Sequence, residues 1–399
     1  MTKWVKKPLG DVAEMCLGKM LDEQKNKGEM LPYLANINVR WGSFDCENLR
    51  EMRFAHNEMD RYGLKLGDIV MCEGGEPGRC AIWRDSIPGM MIQKALHRIR
   101  PKSEIDYRFL FYFFLQTGYA GGFAPLFTGA TIKHLPKQSL EKLEIEYPPL
   151  DQQSRIADIL SSYDDLIENN RRRMALLEES ARLLYREWFV RLRFPGYEHT
   201  SVVDGVPQGW ERRTAFDSMQ VLSGGTPKTT VPGYWDGDTP FFTPKDATDS
   251  IWVSACERSV TELGIKNCNS KLYPRETVFI TARGTVGKLN MAQVPMAMSQ
   301  SCYALVGKDH LSQRFVYSAM EAGVDALRQQ AVGAVFDAIV VDTFKRIRLM
   351  VPPAPMLRLF DEAVTPVFDQ VKNLASQNQK LRTARDLLLP RLMSGELAV

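Results

Sequence analysis

No two cysteines of this sequence stand in a Cys-x-x-Cys arrangement. The seven present are scattered, Cys72 and Cys80 being the nearest pair. An odd, unpatterned set excludes a disulfide framework and reads as reduced thiols in the cytosol. The five histidines are dispersed, which argues against a zinc site or a histidine-based triad. Long apolar runs are also missing. The most apolar stretch, Phe109 to Leu115, is far short of the ~20 residues that cross a bilayer, and Met1 to Gly10 is polar and basic with no apolar core of a leader. The expectation is a soluble, cytoplasmic protein. Charge of one sign is scarce too, the net charge being +3. That balance neither supports nor excludes nucleic acid, because a binder needs a basic face rather than a large total.

Catalytic signatures are equally sparse. Ala282-Arg283-Gly284-Thr285-Val286-Gly287-Lys288 only grazes a phosphate-binding loop, and its spacing fails. Tyr147-Pro148-Pro149-Leu150 lacks the amide or carboxylate with which amino-methyltransferases hold a target amine. Glu23-Gln24-Lys25 has the Glu-x-Lys spacing of some metal-dependent nucleases but sits in a charged run, Asp22 to Glu29, that reads as a solvated loop. No catalytic residue, metal or cofactor is expected in this chain.

What is present is repetition. At 399 residues, 44% hydrophobic and 25% charged, the chain can bury two or three cores. Trp4-Val5-Lys6-Lys7 matches Trp210-Glu211-Arg212-Arg213, and Leu31-Pro32-Tyr33-Leu34 matches Thr239-Pro240-Phe241-Phe242. Gly67 to Met71 matches Glu276 to Ile280, and Gly75-Glu76-Pro77-Gly78-Arg79 matches Gly284-Thr285-Val286-Gly287-Lys288. Gln93 falls on Gln300, Gly129-Ala130 on Gly333-Ala334, and Pro148-Pro149 on Pro352-Pro353. Matches in one order at a nearly constant offset mean duplication. Each half runs from short β-like segments with Gly and Pro turns, through a last strand closed by Pro-Pro, into a long helix. Phe194 to Gly209, rich in Pro and Gly, reads as a linker. The expected divisions are a first domain 1–150, a helix 151–192, a linker 193–209, a second domain 210–353 and a helix 354–394.

The helices carry heptad seams. Ile156, Leu160, Tyr163, Ile167, Asn170, Met174, Leu177, Ala181, Leu184 and Trp188 recur at alternating steps of four and three. Phe360, Val364, Val367, Val371, Leu374, Asn378, Leu381, Leu388 and Leu392 make the second seam; Arg385 breaks it, and Pro366 and Pro390 should kink or interrupt the helix. Each seam has one asparagine. A parallel pairing aligned by the repeat sets each amide against a hydrophobe. An antiparallel one sets Asn170 against Asn378, Ile167 against Leu381 and Leu177 against Val371, or else both amides face water.

Here the residues resemble a known family. Pro148-Pro149-Leu150-Asp151-Gln152-Gln153-Ser154-Arg155-Ile156-Ala157-Asp158-Ile159-Leu160, with Trp188-Phe189-Val190 beyond, is similar to the central conserved region of type I restriction-modification specificity subunits. Arg385 to Leu397 resembles their C-terminal signature, and Phe194-Pro195-Gly196 with Val206 to Trp210 their junction. The resemblance covers essentially the whole chain. It implies an α+β protein with two repeated α/β target-recognition domains joined by two long antiparallel coiled-coil helices. It further implies that each domain reads one half of a bipartite, asymmetric site in double-stranded DNA. The helices then set the unread gap and dock two modification subunits, which restriction subunits join. S-adenosylmethionine, ATP and Mg²⁺ belong to those partners. Two other readings stay open: a protein-binding scaffold, separable by salt-sensitive binding to duplex DNA, and a recognition subunit for a fused nuclease-methylase.

Contact candidates follow from residue type. Arg79, Arg283 and Lys288 flank Gly-rich turns that let a backbone approach phosphate. Thr128 to Lys133 offers hydroxyls and the Lys133 cation beside Gly129, whereas its counterpart Val332 to Asp337 is apolar and acidic. Gln93, Lys94, Asn36, Asn38 and Arg40 are candidates for reading base edges. Trp41, Trp235 and Trp252 are explained more cheaply as packing. Arg171-Arg172-Arg173 faces away from the seam, toward either solvent or an acidic or DNA surface.

Overall fold

The computed structural model describes residues 4–22, 26–330 and 338–399. Glu23-Gln24-Lys25, Gly333-Ala334 and the segment Val332 to Asp337 therefore lie outside the described residues. The chain divides into two compact units, Met1–Ile167 with Lys380–Val399, and Glu168–Gln379. The division cuts both long helices, so each unit owns a piece of each rather than being one of the domains drawn from sequence.

In the first unit, strand Val5–Pro8 pairs antiparallel with Glu144–Tyr147, joining the start of the globular part to its end. A four-stranded antiparallel sheet follows the order Ala13–Leu17, Leu96–Pro101, Ile69–Cys72, Cys80–Ile82. A second sheet has Glu29–Leu34 at its centre, antiparallel to Arg50–Phe54 and parallel to Met91–Ile92. Ile69–Cys72 is buried throughout, as a central strand covered on both faces must be. Helix Tyr107–Tyr119 covers it. Its N-terminal amides are capped by the Asp106 carboxylate, and Phe109, Leu110, Phe111, Tyr112, Phe114 and Leu115 are buried, apolar nearly all round.

The second unit repeats this order. Glu211–Thr214 pairs with Arg348–Val351. The larger sheet runs Met219–Ser223, Cys302–Gly307, Val278–Thr281, Leu289–Ala292, with Trp252–Val253 added at the edge. Trp235–Phe242 lies between Ser259–Val260 and Ala297–Met298, again with one parallel pairing, Phe241 to Ala297 against Tyr33 to Met91 in the first unit. Helix Gln313–Gln330 takes the covering position. One register differs from the sequence match. Gln93 donates to the Leu34 carbonyl, and it is Ser299 that donates to the Phe242 carbonyl, so Gln300 corresponds to Lys94 and not to Gln93.

The long helices are Leu150–Tyr185, continued by a wider turn over Arg186–Val190, and Ala354–Met393. Pro366 and Pro390 do not interrupt the second. Both are exposed, so the carbonyls that lose their helical donors are on the wet side, where water replaces them. Arg385 is not a simple break in the seam either. Its guanidinium pairs with Asp164 within the first unit and with Asp386 at 2.8 Å. In that unit Ile156 and Leu160 share one core with Leu389 and Leu392, while Ile167 is buried and Leu381 half-buried. In the second unit Met174, Leu177, Ala181 and Tyr185 share a core with Leu374, Val371, Val364 and Phe360. Early residues of one helix thus meet late residues of the other, the antiparallel order. The burial stripe is wider than a bare seam. Phe368, not Val367, is fully buried, and it meets Tyr317 at 5.8 Å between ring centres. Each helix therefore packs on its own globular part as well as on its neighbour.

Residues 193–209 are more than a linker. A short turn at Tyr197–His199 and a ladder of Val202–Val203 on Val206–Pro207 occupy it, and the Phe194 ring packs tilted against Trp210 at 4.6 Å between centres.

Candidate nucleic-acid interface

Three loops converge at one end of the first globular part, and a single backbone residue stitches them. Glu73 donates its amide to the Ala95 carbonyl at 2.9 Å and accepts from the Leu135 amide at 2.8 Å. In the second unit Ala282 does the same with Ser301 at 2.8 Å and Ile339 at 2.9 Å. The first loop is the Gly-rich turn. Gly78 donates to the Cys72 carbonyl at 2.9 Å and Gly287 to the Thr281 carbonyl at 2.9 Å, with φ of +92° and +80°. A Cβ on Gly78 would lie 2.6 Å from the Phe123 ring, so conformation and space both require glycine there. The second loop is the four-residue turn Gln93 to Leu96 or Ser299 to Cys302. The third, in the first unit, is Thr128 to His134, closed by reciprocal bonds of 2.8 and 2.9 Å between Thr128 and His134. Buried His97 holds its exit through the Leu135 carbonyl at 2.8 Å, and burial pushes that imidazole below its ordinary pKa.

The structure sorts the sequence candidates by what their polar atoms already do. Arg79 is largely enclosed: one guanidinium arm pairs with Glu76 and the other donates to the Asn36 carbonyl at 3.1 Å. Asn38 accepts at Oδ1 from the Ala35 amide at 2.9 Å and donates from Nδ2 to the Asp45 carbonyl at 3.0 Å. Arg40 donates to the Ile37 and Val39 carbonyls and pairs with Asp45 at 3.3 Å. These three brace the loop between Asn36 and Asp45 and join it to the Gly-rich turn. Gln93 is half-buried under its turn, whereas Lys94 and Lys133 are exposed. In the second unit Arg283 is exposed at the turn, and Lys288 pairs with Asp249 at 2.6 Å. Gln300 bonds Thr226 at the tip equivalent to Lys94.

Sequence reading missed the cavity these loops enclose in the first unit, about 560 Å³, walled by Trp41, Phe127, Glu76, Arg79, Thr131 and Lys133. Trp41 is half-buried and meets Tyr119 at 6.0 Å, so one edge packs and the rest faces the cavity. Trp235 and Trp252 are buried, Trp252 donating to the Phe368 carbonyl at 2.9 Å. Among the described residues no group of three or more His, Cys, Asp or Glu could hold a metal ion, and no helix is long and apolar enough to cross a membrane.

A duplicated α/β unit whose conserved frame is backbone and whose loop ends are polar is the architecture of a paired recognition module. The chain belongs to the family of type I restriction-modification DNA specificity domains, whose model matches residues 1–179 and again 207–380. It is similar to the specificity subunit of the type I restriction enzyme MjaIX of Methanocaldococcus jannaschii, 24% identical over 99% of this chain and 94% of that one. It is also similar to the HindI specificity subunit of Haemophilus influenzae, 22% identical over the whole of both. The crystal structure of a type I S subunit from M. genitalium shares the fold, with a TM-score of 0.54, 16% identity, and coverage of 98% and 96%. Specificity subunits of type I restriction systems are non-catalytic, the enzymatic activities residing in partner subunits.

Proposed function

We propose that this chain gives a type I restriction-modification complex its DNA sequence specificity by reading a bipartite, asymmetric duplex site, one half-site per unit. The observation that carries this is the pairing of identical backbone stitches, at Glu73 and Ala282, with unlike side chains at the loop ends: Lys94 against Gln300, Arg79 against Lys288. One frame met twice implies two contacts, and different tips imply different half-sites. Lys94, Lys133 and Arg283 are the leading contact residues. Arg79, Asn38 and Arg40 support them from beneath, and Lys288 joins when it leaves Asp249. The two helices fix the unread gap and dock modification subunits, with which restriction subunits assemble. S-adenosylmethionine, ATP and Mg²⁺ act in those subunits, and the complex works in the cytoplasm. Replacing residues 1–150 by the same region of a relative, in the assembled complex, should change one half-site of the methylated sequence. A change in both would overturn independent reading.

A further inference from the structure

The two units share a frame but differ at one corner, where the second leaves a cavity of about 360 Å³. Arg186, Arg212 and Arg348 line it, over a floor that includes Phe189, Ala319 and Ala322. All three arginines are exposed, and none has a carboxylate within ion-pair distance among the described residues. Arg182 also lines it but is engaged by Glu179 at 2.9 Å and Glu321 at 3.6 Å, and Asp325 supplies the acidic group of the wall.

The first unit holds different residues at the same corner. Lys6 and Glu144 are diagonal neighbours on strands Val5–Pro8 and Glu144–Tyr147, and they form an ion pair at 2.5 Å. The same two places hold Arg212 and Arg348, since Arg212 pairs with Met350 as Lys6 pairs with Glu146. A salt bridge has been replaced by two like charges at a diagonal contact, which is destabilising unless an anion lies between them. Tyr185, buried in its own core, stands where Leu389 does in the other helix, and the wider turn over Arg186–Val190 that follows leaves Arg186 exposed at the cavity. Counting from the capping residues Asp106 and Ser312, Ala319 replaces Phe113, a side chain packed on that same core. Together these changes ring the space with guanidinium groups.

We propose that this corner is a binding site for a nucleoside di- or triphosphate. Guanidinium forks match phosphate oxygens in bidentate geometry. The apolar floor suits a flat base, which a bare inorganic anion lacks, and the volume lies within the range of small-molecule pockets. Bound there, the ligand ties the helix end at Arg186 to the strands carrying Arg212 and Arg348.

The test titrates the full-length chain, without partners or Mg²⁺, with ADP, pyrophosphate and adenosine by calorimetry, alongside Arg348→Glu, which restores the first unit's residue, and Arg186→Leu, which removes a guanidinium. ADP should bind saturably, pyrophosphate more weakly and adenosine hardly at all. Each substitution should weaken ADP at least about tenfold. Arg348→Glu should at the same time raise the melting temperature of the free chain by restoring a salt bridge to Arg212, so loss of binding is not loss of folding. Absence of saturable ADP binding, or binding indifferent to both substitutions, overturns the site. So does a result in which the substitutions weaken only duplex DNA, for the phosphate would then be that of the DNA backbone.

Discussion

The Nδ2 of Asn170 donates to the Oδ1 of Asn378 at 2.9 Å, with both side chains buried at 6% and 3% exposure. A buried amide lacking its partner costs roughly 1–3 kcal/mol. The pair thus penalises any slip that would set either asparagine against a hydrophobe. Asn170→Leu alone should destabilise the chain by about that amount in chemical denaturation. Adding Asn378→Leu should recover most of the loss, and in the assembled complex the double variant should accept more than one spacing between half-sites. Additive losses in the two single variants would mean that the contact does not fix the register.

Arg283 and Lys288 differ in availability, and binding should show it. Arg283→Ala should weaken duplex DNA of any sequence alike and lower the salt slope by roughly one. Lys288→Ala should do less, because Asp249 already competes for that ammonium at 2.6 Å. A change in site preference at constant slope would make Arg283 a base reader.

Glu321 gives the second unit a pH dependence. Burial pushes its carboxyl up to about 7, partly opposed by the charge of Arg182, with Asp325 and Glu178 adding to the rise. The folded chain therefore holds this proton where the unfolded chain has released it. The stabilisation is complete below the unfolded carboxyl range near 4.5 and is lost as pH rises through about 7. Its size is on the order of 2–3 kcal/mol. Glu321→Gln should flatten the fall in stability between pH 5 and 8, taken as roughly spanning those two values. An unchanged slope would assign the titration elsewhere.

Pro366 sits exposed inside an unbroken helix. Pro366→Ala should restore a hydrogen bond and remove the ring, raising stability by roughly 1–2 kcal/mol after the entropy regained by the unfolded chain is subtracted. A loss of stability would show that the ring is needed where it is.

The duplication was legible because its carriers are conformational. Gly78 and Gly287 mark left-handed turns that few residues can occupy, and Pro-Pro ends each last strand. The match of Gln93 to Gln300 slipped by one because identical side chains outweighed backbone register, which only the bonds to Leu34 and Phe242 reveal. Asn38 and Arg40 look like readers by residue type, and the sequence does not display that their own loop consumes them. The interruption expected at Pro366 and Pro390 did not occur for a related reason: periodicity shows which face is apolar, but not that a proline on the other face can be hydrated. The arginine-rimmed corner was invisible because its walls come from four distant segments. Its meaning depends on comparing like-charged Arg212 and Arg348 with the paired Lys6 and Glu144.

The stitches at Glu73 and Ala282 use only main-chain amides and carbonyls. A substitution at Lys94, Lys133, Arg283 or Gln300 leaves every one of those bonds intact. The frame and the exposed side chains are thereby carried by different atoms of the same loops. Under the proposed reading such a molecule drifts to a new target by single exposed changes without passing through unfolded intermediates, and libraries randomised at those four positions should stay mostly soluble.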